Sequence, residues 1–554
     1  MNAARLARVD EIFAAYIEQD PPLAPGVAYG VVVDGQLVHA GGFGCLHVGE
    51  NHVPGPDGIF RIASMTKSFV AATIILLRDE GVLRLDDRAN QWVPELRDQP
   101  RPTIDSAAPT LRDLLSMRSG YPEDDAWADR LEDLSDDDFS ALIATPKTHA
   151  WAVGVAFDYS NLGYTLLGRV IQNAAGKPFG DVITERILAP LGMHDTTWTG
   201  RGADHARLAT GYARCGDEWI AQPVQEHGAF SALGGLYSTV TDLATWVAGF
   251  IDAWPPRNEG DTHPLCRASR RELQQVVTTM PLQLASSGIG ALRIRTEGYC
   301  LGLLSHDDLA TGRSVGHSGG YPGFGSHMRW HPRTGIGVIA LANGRYARPD
   351  AAAIEVLAEL VAAAPSRLSV QPLEQVAALR RAVDTAINAG ELAQIAPLLA
   401  DNVDLDESLT HRAATIARLS EQHGVLTPDG QLRAITPTQI AWWLKGERGR
   451  VGIEIMLNPE QPPRIQKLVI TSVGEPNCRL QAAADAAVTE LSEHDLAPLL
   501  TPVHSTAWVD GDGITEGTLF VEGPHATARI RIHLDSDHVA FVDVEPEHRW
   551  PTPW

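Results

Sequence analysis

The chain has 554 residues, 44% of them hydrophobic and 21% charged, with a formal net charge of −24. This length indicates more than one domain, and the composition is typical of a globular protein. The acidic charge argues against sequence-independent binding of nucleic acid or of an anionic membrane, since both need a basic surface.

The polar motifs of the common metal sites are missing from the sequence. The five cysteines are widely scattered without a C-x-x-C pair, which indicates neither a disulfide framework nor a zinc knuckle. No H-E-x-x-H motif occurs among the 20 histidines. We therefore expect no metal and no organic cofactor.

The first twenty residues predict an amphipathic helix. Leu6, Val9, Ile12, Phe13 and Tyr16 recur at helical spacing on one face. The stretch lacks the basic segment, apolar core and cleavage site of a signal peptide, and no run of 18 apolar residues predicts a membrane span. We therefore expect a cytoplasmic protein.

Strands are predicted near both ends of the first 365 residues. Residues 26–44 form two apolar runs joined by Asp34-Gly35, a hairpin signal, and residues 326–344 predict a strand, a turn and a strand. Residues 64–80 predict a buried helix that ends at Gly81, and residues 351–364 predict another. The fold class we expect is α+β, with one antiparallel β-sheet flanked by helices and a mostly helical region inserted between its strands.

A linker is predicted at 366–372, followed by a separate α+β region. The segment DTAI at 384–387 followed by APLL at 396–399 recurs as DAAV at 485–488 and APLL at 497–500. This spacing predicts two similar units, 373–473 and 474–554. The alternative is a chance match between two alanine-rich helices.

Two serines compete for the role of nucleophile. The stretch GHSGG at 316–320 matches the G-x-S-x-G nucleophile elbow and would select Ser318. An elbow needs a helix directly after the serine, whereas Pro322, Gly323 and Gly325 disfavour one here. We therefore expect Ser318 to be a bystander or a minor contact.

The second candidate is Ser64, at the start of the predicted helix. Lys67 follows three residues later, so both side chains share one helix face. A serine hydroxyl needs a base, and burial lowers the pKa of a lysine toward the neutral form that can act as one. On this motif alone, an N-capping serine beside an ordinary helical lysine explains the pattern equally well.

Two further motifs decide between these alternatives. The sequence has Tyr159-Ser160-Asn161 and then His317-Ser318-Gly319, after Ser64-x-x-Lys67. In this order the three motifs resemble those of the penicillin-recognising serine hydrolases, in the class C β-lactamase, D-aminopeptidase and esterase branch often called CubicO. The Y-x-N and H-x-G forms resemble the D-aminopeptidase and esterase members most.

The resemblance covers about residues 10–365. Further similar stretches lie at 81–87, 110–122, 183–198, 234–246 and 299–304. The sequence SMRSG at 116–120 departs from the family's usual pattern in a segment that we expect to be structural. The region beyond residue 373 lies outside the shared part.

The resemblance implies three catalytic residues. Ser64 attacks a carbonyl and forms an acyl-enzyme, while Lys67 and Tyr159 share the proton transfers. Which of the two is the base is left open. A tyrosine beside a cationic lysine has its phenolate favoured, which would suit Tyr159 as the base.

The resemblance also implies four substrate-binding residues. Asn161 holds the lysine and the substrate amide, although it could instead, or in addition, cap the following helix. His317 orients the tyrosine or binds a substrate carboxylate, with a charge tunable near neutral pH. Gly319 and Gly320 allow a close approach of the substrate, and the N–H groups of Gly320 and Ser64 form an oxyanion hole.

These residues predict a serine hydrolase of small amides or short peptides, including D-residue peptides. A carboxylesterase or weak β-lactamase with the same site, and a non-catalytic sensor of β-lactams or peptides, are the alternatives. The acidic run at 123–138 is expected to be a solvated surface, or else to attract a cationic group such as a free amine. A homodimer is left open, and the C-terminal region is expected to cap the site or to mediate dimers.

Overall fold

A computed structural model describes residues 3–200, 202–223, 225–281, 283–286, 292–308, 311–362, 364–368, 370–493, 500–501, 503–511, 516–523, 527–535 and 538–546. The chain divides into two units, Met1–Leu368 and Ser369–Pro553.

Among the described residues, the first unit has eleven α-helices and thirteen strands. The helices are α1 (Ala3–Glu18), α2 (Thr66–Asp79), α3 (Ala89–Trp92), α4 (Leu111–Leu115), α5 (Asp125–Ala128), α6 (Asp136–Ala144), α7 (Asn161–Ala175), α8 (Phe179–Ile183), α9 (Val240–Asp252), α10 (Arg267–Leu273) and α11 (Asp350–Ala362). The strands are β1 (Gly26–Val33), β2 (Gln36–Gly44), β3 (Phe60–Arg61), β4 (Tyr212–Cys215), β5 (Glu218–Ala221), β6 (Tyr237–Ser238), β7 (Thr278–Thr279), β8 (Gln283–Ser286), β9 (Leu292–Tyr299), β10 (Leu304–Asp308), β11 (Gly312–Tyr321), β12 (Phe324–His331) and β13 (Ile336–Ala342).

The main sheet joins the two ends of this unit. Its order is β2-β1-β13-β12-β11-β10-β9-β7, and β8 also pairs with β9. Val27 of β1 lies opposite Phe43 of β2 on one side and Ala342 of β13 on the other. The strands from the beginning and the end of the unit therefore pair with each other in one antiparallel sheet, one strand in from the edge that β2 forms.

Helices cover both faces of the sheet. The buried residues of α1 and α11 pack with β1 and β13 in one apolar cluster. A larger cluster joins the opposite face to α2, α7 and α9. Most of the helices come from the inserted region between β2 and β9, as expected. The predicted fold class is confirmed.

The second unit is built on a single sheet of eight strands in the order β14 to β21. Its helices are α12 (Val376–Ala389), α13 (Asp401–Asp406), α14 (Leu409–His423) and α15 (Cys478–Glu490). Its strands are β14 (Thr427–Thr436), β15 (Gln439–Gly446), β16 (Gly449–Leu457), β17 (Ile465–Gly474), β18 (Ser505–Gly511), β19 (Glu516–Glu522), β20 (Thr527–Asp535) and β21 (His538–Pro546).

Each half of this sheet follows a helical segment, α12 to α14 before β14–β17 and α15 before β18–β21. The halves meet through one parallel pair, Val473 and Gly511, and each half has its own apolar cluster. Residues 497–499 of the predicted repeat lie outside the described residues. The boundaries 373–473 and 474–554 therefore stay a prediction.

None of the helices in the described ranges combines the length and the apolarity that crossing a bilayer requires.

Candidate active site

Ser64 lies in a strained turn at the start of α2. A short 3-10 turn, Ala63–Met65, precedes the helix, and Ala63 has a φ of +48°, a left-handed conformation that is rare for alanine. The turn is anchored because Ser326 Oγ donates to the Ile62 carbonyl at 2.7 Å. Ser64 is the only partly exposed residue between 60 and 75. The local fold therefore presents one hydroxyl to solvent on an otherwise buried segment.

Lys67 is fully buried directly beside this hydroxyl. Its Nζ donates to Ser64 Oγ at 3.0 Å, to Asn161 Oδ1 at 2.7 Å and to the Leu233 carbonyl at 2.7 Å. Burial lowers the pKa of Lys67 to about 8, although nearby carboxylates, Asp125 foremost, oppose this shift. A lysine with this pKa is neutral often enough near pH 7 to accept a proton.

Tyr159 approaches the same two residues from the segment before α7. Its ring centroid lies 5.0 Å from Lys67 Nζ, and its hydroxyl hydrogen-bonds to Ser64. Burial and the charge of Asp125 raise the pKa of Tyr159 well above its usual value. The prediction of a favoured phenolate is therefore wrong for this structure, since burial and the acidic surroundings stabilise the neutral phenol.

Asn161 is the first residue of α7, and its side chain points to Lys67. Ser160 is the N-cap, because its backbone is extended and its Oγ accepts from the Gly163 N–H at 3.2 Å. The alternative that Asn161 caps this helix is therefore wrong. The Asn161 amide is free for a different task, donating from Nδ2 to Asp125 Oδ1 at 2.5 Å.

His317 is buried in β11 and is neutral. Its Nδ1 donates to the Ser318 carbonyl at 2.6 Å, so its Nε2 accepts from the Tyr299 hydroxyl at 3.1 Å. Burial and the charge of Lys67 lower the pKa of His317 to about 3. The expectation of a charge tunable near neutral pH is therefore wrong. The ring lies 6.4 Å from that of Tyr159, between centroids.

Ser318 points to the opposite face of β11. Its Oγ lies 2.8 Å from Nδ1 of His327, and His327 Nε2 accepts from Arg329 Nε at 3.4 Å. Nδ1 therefore carries the proton and donates it to Ser318, so His327 cannot act as the base for this serine. Strand β12 follows directly, where an elbow would need a helix.

The last two of the three glycines in GHSGG lie at close approaches, Gly319 to the Ser64 turn and Gly320 to Tyr346. A Cβ on Gly319 would overlap the Ile62 carbonyl oxygen and would stand 3.0 Å from Ala63 Cβ. A Cβ on Gly320 would stand 2.7 Å from Cδ1 of Tyr346. Only glycine at position 319 allows this approach.

The edge of β11 beside the site is open. Strand β10 pairs with β11 only as far as Gly316, while β12 continues to pair up to Tyr321. Within the described ranges, no strand pairs with residues 317–321 on the edge that β10 leaves. An extended substrate has backbone groups available there.

Part of the acidic run faces the site. Asp124 and Asp125 are half-buried, and Asp129 and Glu132 are buried. All four oppose the lowering of the Lys67 pKa. The expectation of a solvated surface is wrong for these four residues, because they neutralise a buried lysine, a buried arginine and a helix N-terminus. The expectation holds for Glu123, Asp133 and residues 136–138, which are exposed.

Sequence reasoning missed several residues that complete the site. The Leu233 carbonyl, the Tyr299 hydroxyl and the carboxylates of Asp124 and Asp125 all contact predicted site residues. No spacing rule relates them to those residues, since they are brought in by tertiary packing. An acidic pair at the start of an acidic run carries no sequence signal that separates it from surface residues.

One group of side chains in the described part of the chain is close enough to share a metal ion. His47, Glu50 and His205 place ligand atoms within 4.8 Å of one another. Both ring nitrogens of His47 already have partners, Thr210 Oγ1 at 2.9 Å and the His205 carbonyl at 3.0 Å. The group therefore gives no support for a metal site.

Known proteins are similar to a large part of this chain. Residues 13–363 match the family model described as Beta-lactamase. The chain is 27% identical over 331 residues to the D-alanyl-D-alanine-carboxypeptidase/endopeptidase AmpH of Escherichia coli, which covers 57% of this chain and 79% of that protein.

Solved structures show the same fold. The Beta-lactamase/D-alanine Carboxypeptidase from Yersinia pestis, complexed with citrate, is 25% identical with a TM-score of 0.51, over 65% of this chain and 100% of that one. The octameric penicillin-binding protein homologue from Pyrococcus abyssi is 19% identical with a TM-score of 0.55, over 99% of each chain. At 19% identity the second likeness concerns the fold alone.

Proposed function

We infer the function from the family of the chain, which belongs to the Beta-lactamase family and is a serine hydrolase of amide or ester bonds. We propose that it hydrolyses small amides or short peptides through an acyl-enzyme at Ser64. The observation that carries the proposal is the position of Lys67 Nζ, 3.0 Å from Ser64 Oγ and buried. A buried amine at this distance can take the proton that the hydroxyl must lose.

Lys67 and Tyr159 divide the proton transfers in this proposal. Ser64 Oγ bonds to the substrate carbonyl carbon while its proton moves to neutral Lys67. The Tyr159 phenol protonates the leaving nitrogen as the C–N bond breaks, and Lys67 returns a proton to Tyr159. The lowered pKa of Lys67 and the raised pKa of Tyr159 support these roles.

Hydrolysis of the acyl-enzyme completes the cycle. Water gives a proton to the same pair as its oxygen bonds to the acyl carbon, and Ser64 Oγ recovers a proton as it leaves. We assign the N–H groups of Ser64 and Gly320 to the negative oxygen of both tetrahedral intermediates. The helix that begins at Thr66 and the open edge of β11 support this assignment.

The surroundings of the site favour substrates without a free carboxylate beside His317. This histidine is neutral and buried, so it offers no cation to a carboxylate. The carboxylates of Asp125 and Asp129 instead favour a neutral or cationic group. We therefore place D-amino-acid amides and aminopeptides ahead of substrates with a free C-terminus.

The first test identifies the nucleophile. Wild type, Ser64→Ala and Ser318→Ala are treated with a fluorophosphonate probe, and the intact mass is measured. We expect one adduct on wild type and on Ser318→Ala, and none on Ser64→Ala. Loss of the adduct only in Ser318→Ala would falsify the assignment of Ser64.

The second test concerns the substrate. Turnover of D-alanine amide, L-alanine amide, D-alanyl-D-alanine, p-nitrophenyl acetate and a chromogenic cephalosporin is compared with that of Ser64→Ala. We expect D-alanine amide to be the best amide substrate. Turnover of the acetate ester alone would favour the carboxylesterase, and binding without any turnover would favour the sensor.

A further inference from the structure

We propose that Asp125 is a positioning residue for acyl transfer: it holds the Asn161 amide in the orientation that binds Lys67 and supplies the negative charge facing that lysine. The inference rests on the proposed function of Ser64 and Lys67. It adds a residue that lies outside the three sequence motifs, between the first and the second of them, on a separate short helix, α5.

The orientation follows from the hydrogen bonds of the amide. A carboxylate only accepts, so the 2.5 Å contact with Asp125 Oδ1 must use the Nδ2 end of Asn161. The oxygen end then faces Lys67 Nζ at 2.7 Å, where the ammonium needs an acceptor. A rotated amide would present N–H groups to a cation, and would also leave Asp125 without its donor.

Asp124 fixes the backbone of the same residue. Its carboxylate accepts from the N–H of Asn161 at 2.6 Å and from the N–H of Leu162 at 2.9 Å. These are unpaired donors of the first turn of α7, where a negative charge is favourable. Adjacent aspartates therefore divide two tasks: Asp124 places the start of the helix, and Asp125 orients the side chain.

The charged and titratable groups around Lys67 come from four segments. They are Asp124, Asp125, Asp129 and Glu132 on and beside α5, Tyr159 and Tyr164 around the start of α7, Ser64 on its own turn and His317 on β11. Glu132 is paired with Arg61, and Asp129 is bound by the Tyr346 hydroxyl at 2.7 Å. Asp125 is the acid joined to Lys67 through one shared amide.

The sign of the effect follows from this arrangement. The Asp125 carboxylate stabilises the Lys67 ammonium and therefore raises the pKa of Lys67 against the effect of burial. Removing the charge lowers that pKa further, so the lysine becomes neutral at lower pH. Removing the acceptor as well frees the Asn161 amide to rotate.

Two substitutions separate the charge from the orientation. Asp125→Asn keeps an oxygen that accepts from Asn161 and loses the charge, whereas Asp125→Ala loses both. For Asp125→Asn we expect the rate of fluorophosphonate labelling to rise at a pH lower by about one unit than in wild type, and to reach the same plateau. For Asp125→Ala we expect the same downward shift and a plateau lowered by about 10- to 100-fold.

Two further variants serve as controls. Asp129→Asn removes a neighbouring charge without touching Asn161, so we expect the rising limb to move to lower pH by less than in Asp125→Asn. Asp137→Asn removes an exposed charge from the same acidic run, and we expect the wild-type profile. Thermal unfolding of every variant identifies a loss of folding, and Asp125→Asn remains informative where Asp125→Ala unfolds.

A direct titration separates this inference from the proposed function. The chain has five lysines, so the ε-carbon signals of [13C]lysine can be followed by NMR from pH 6 to 11. We expect the midpoint for Lys67 to fall in Asp125→Asn and to stay in Asp137→Asn, whether or not the protein turns over a substrate. The role of Asp125 is overturned if the titration midpoint of Lys67 is unchanged in Asp125→Asn and the plateau of the labelling rate is unchanged in Asp125→Ala. Failure of the wild type to label would count against the proposed function instead.

Discussion

At the residue scale, Lys67 sets the pH dependence we expect for acylation. Burial lowers its pKa from 10.5 to about 8, so the neutral fraction rises as the pH passes through that value. The labelling rate should therefore rise between about pH 7 and 9 and then level off.

The substitution Lys67→Arg tests this requirement for a neutral amine. Arginine stays protonated in this range, so we expect the labelling rate at pH 8 to fall by about 10³-fold. The measurement is the fluorophosphonate labelling rate from pH 6 to 10, beside thermal unfolding. Lys177→Arg, at an exposed lysine that binds Glu185, serves as the control. A rate near that of wild type in Lys67→Arg would exclude Lys67 as the base.

The residues also differ in how far the sequence predicts them. The three-residue spacing of Ser64 and Lys67 predicts a shared helix face, and Oγ and Nζ lie 3.0 Å apart. The spacing carries no information on burial or on charges that arrive from elsewhere in the fold. For that reason the charge states expected of Tyr159 and His317 were wrong, and Asp125 was not identified. The catalytic roles of these residues stay proposals.

At the element scale, the close approach of β11 to the Ser64 turn makes Gly319 a sensitive position. Gly319→Ala places a methyl group against the Ile62 carbonyl and Ala63, so the strand or the turn must move. We expect a loss of about 1–3 kcal/mol in the free energy of unfolding and slower labelling of Ser64.

Chemical denaturation and labelling rates measure both effects. Gly260→Ala is a matched control, because a Cβ at Gly260 has nothing within 4 Å. Equal stability and equal labelling in Gly319→Ala and Gly260→Ala would contradict the steric account.

Elements with local signals were predicted well. Asp34-Gly35 indicates the hairpin, and both residues have positive φ, 48° and 82°. The helix after Ser64 begins at Thr66 and ends before Gly81, as its apolar run and terminal glycine indicate. The order of strands in the main sheet depends on long-range pairing, which local patterns do not encode. Only the joining of the two ends of the first unit could be inferred.

At the scale of the whole molecule, the side chains of the site come from the first unit. All of the proposed catalytic and binding residues lie between Ser64 and Gly320, within the first unit. We therefore expect the chain truncated after Leu368 to unfold cooperatively and to label at Ser64 at a rate close to that of the full chain.

Comparison of the truncated chain with the full chain tests the function of the second unit. A change in peptide selectivity without a change in labelling would support a capping role, and a change of mass in solution would support a role in dimers. Loss of labelling by a folded truncated chain would show that the site needs the second unit. The homodimer, the cytoplasmic location and the internal repeat stay predictions.

The burial of Lys67 also protects the site from amine chemistry. Its nitrogen is inaccessible and donates three hydrogen bonds, whereas Lys177 and Lys467 leave about half of their side chains exposed. Reagents that acylate amines, such as the activated esters used to attach proteins to beads, react with exposed lysines first. A preparation coupled through its amines therefore keeps the lysine of the active site unmodified, and arginine supplies most of the chain's other positive charge.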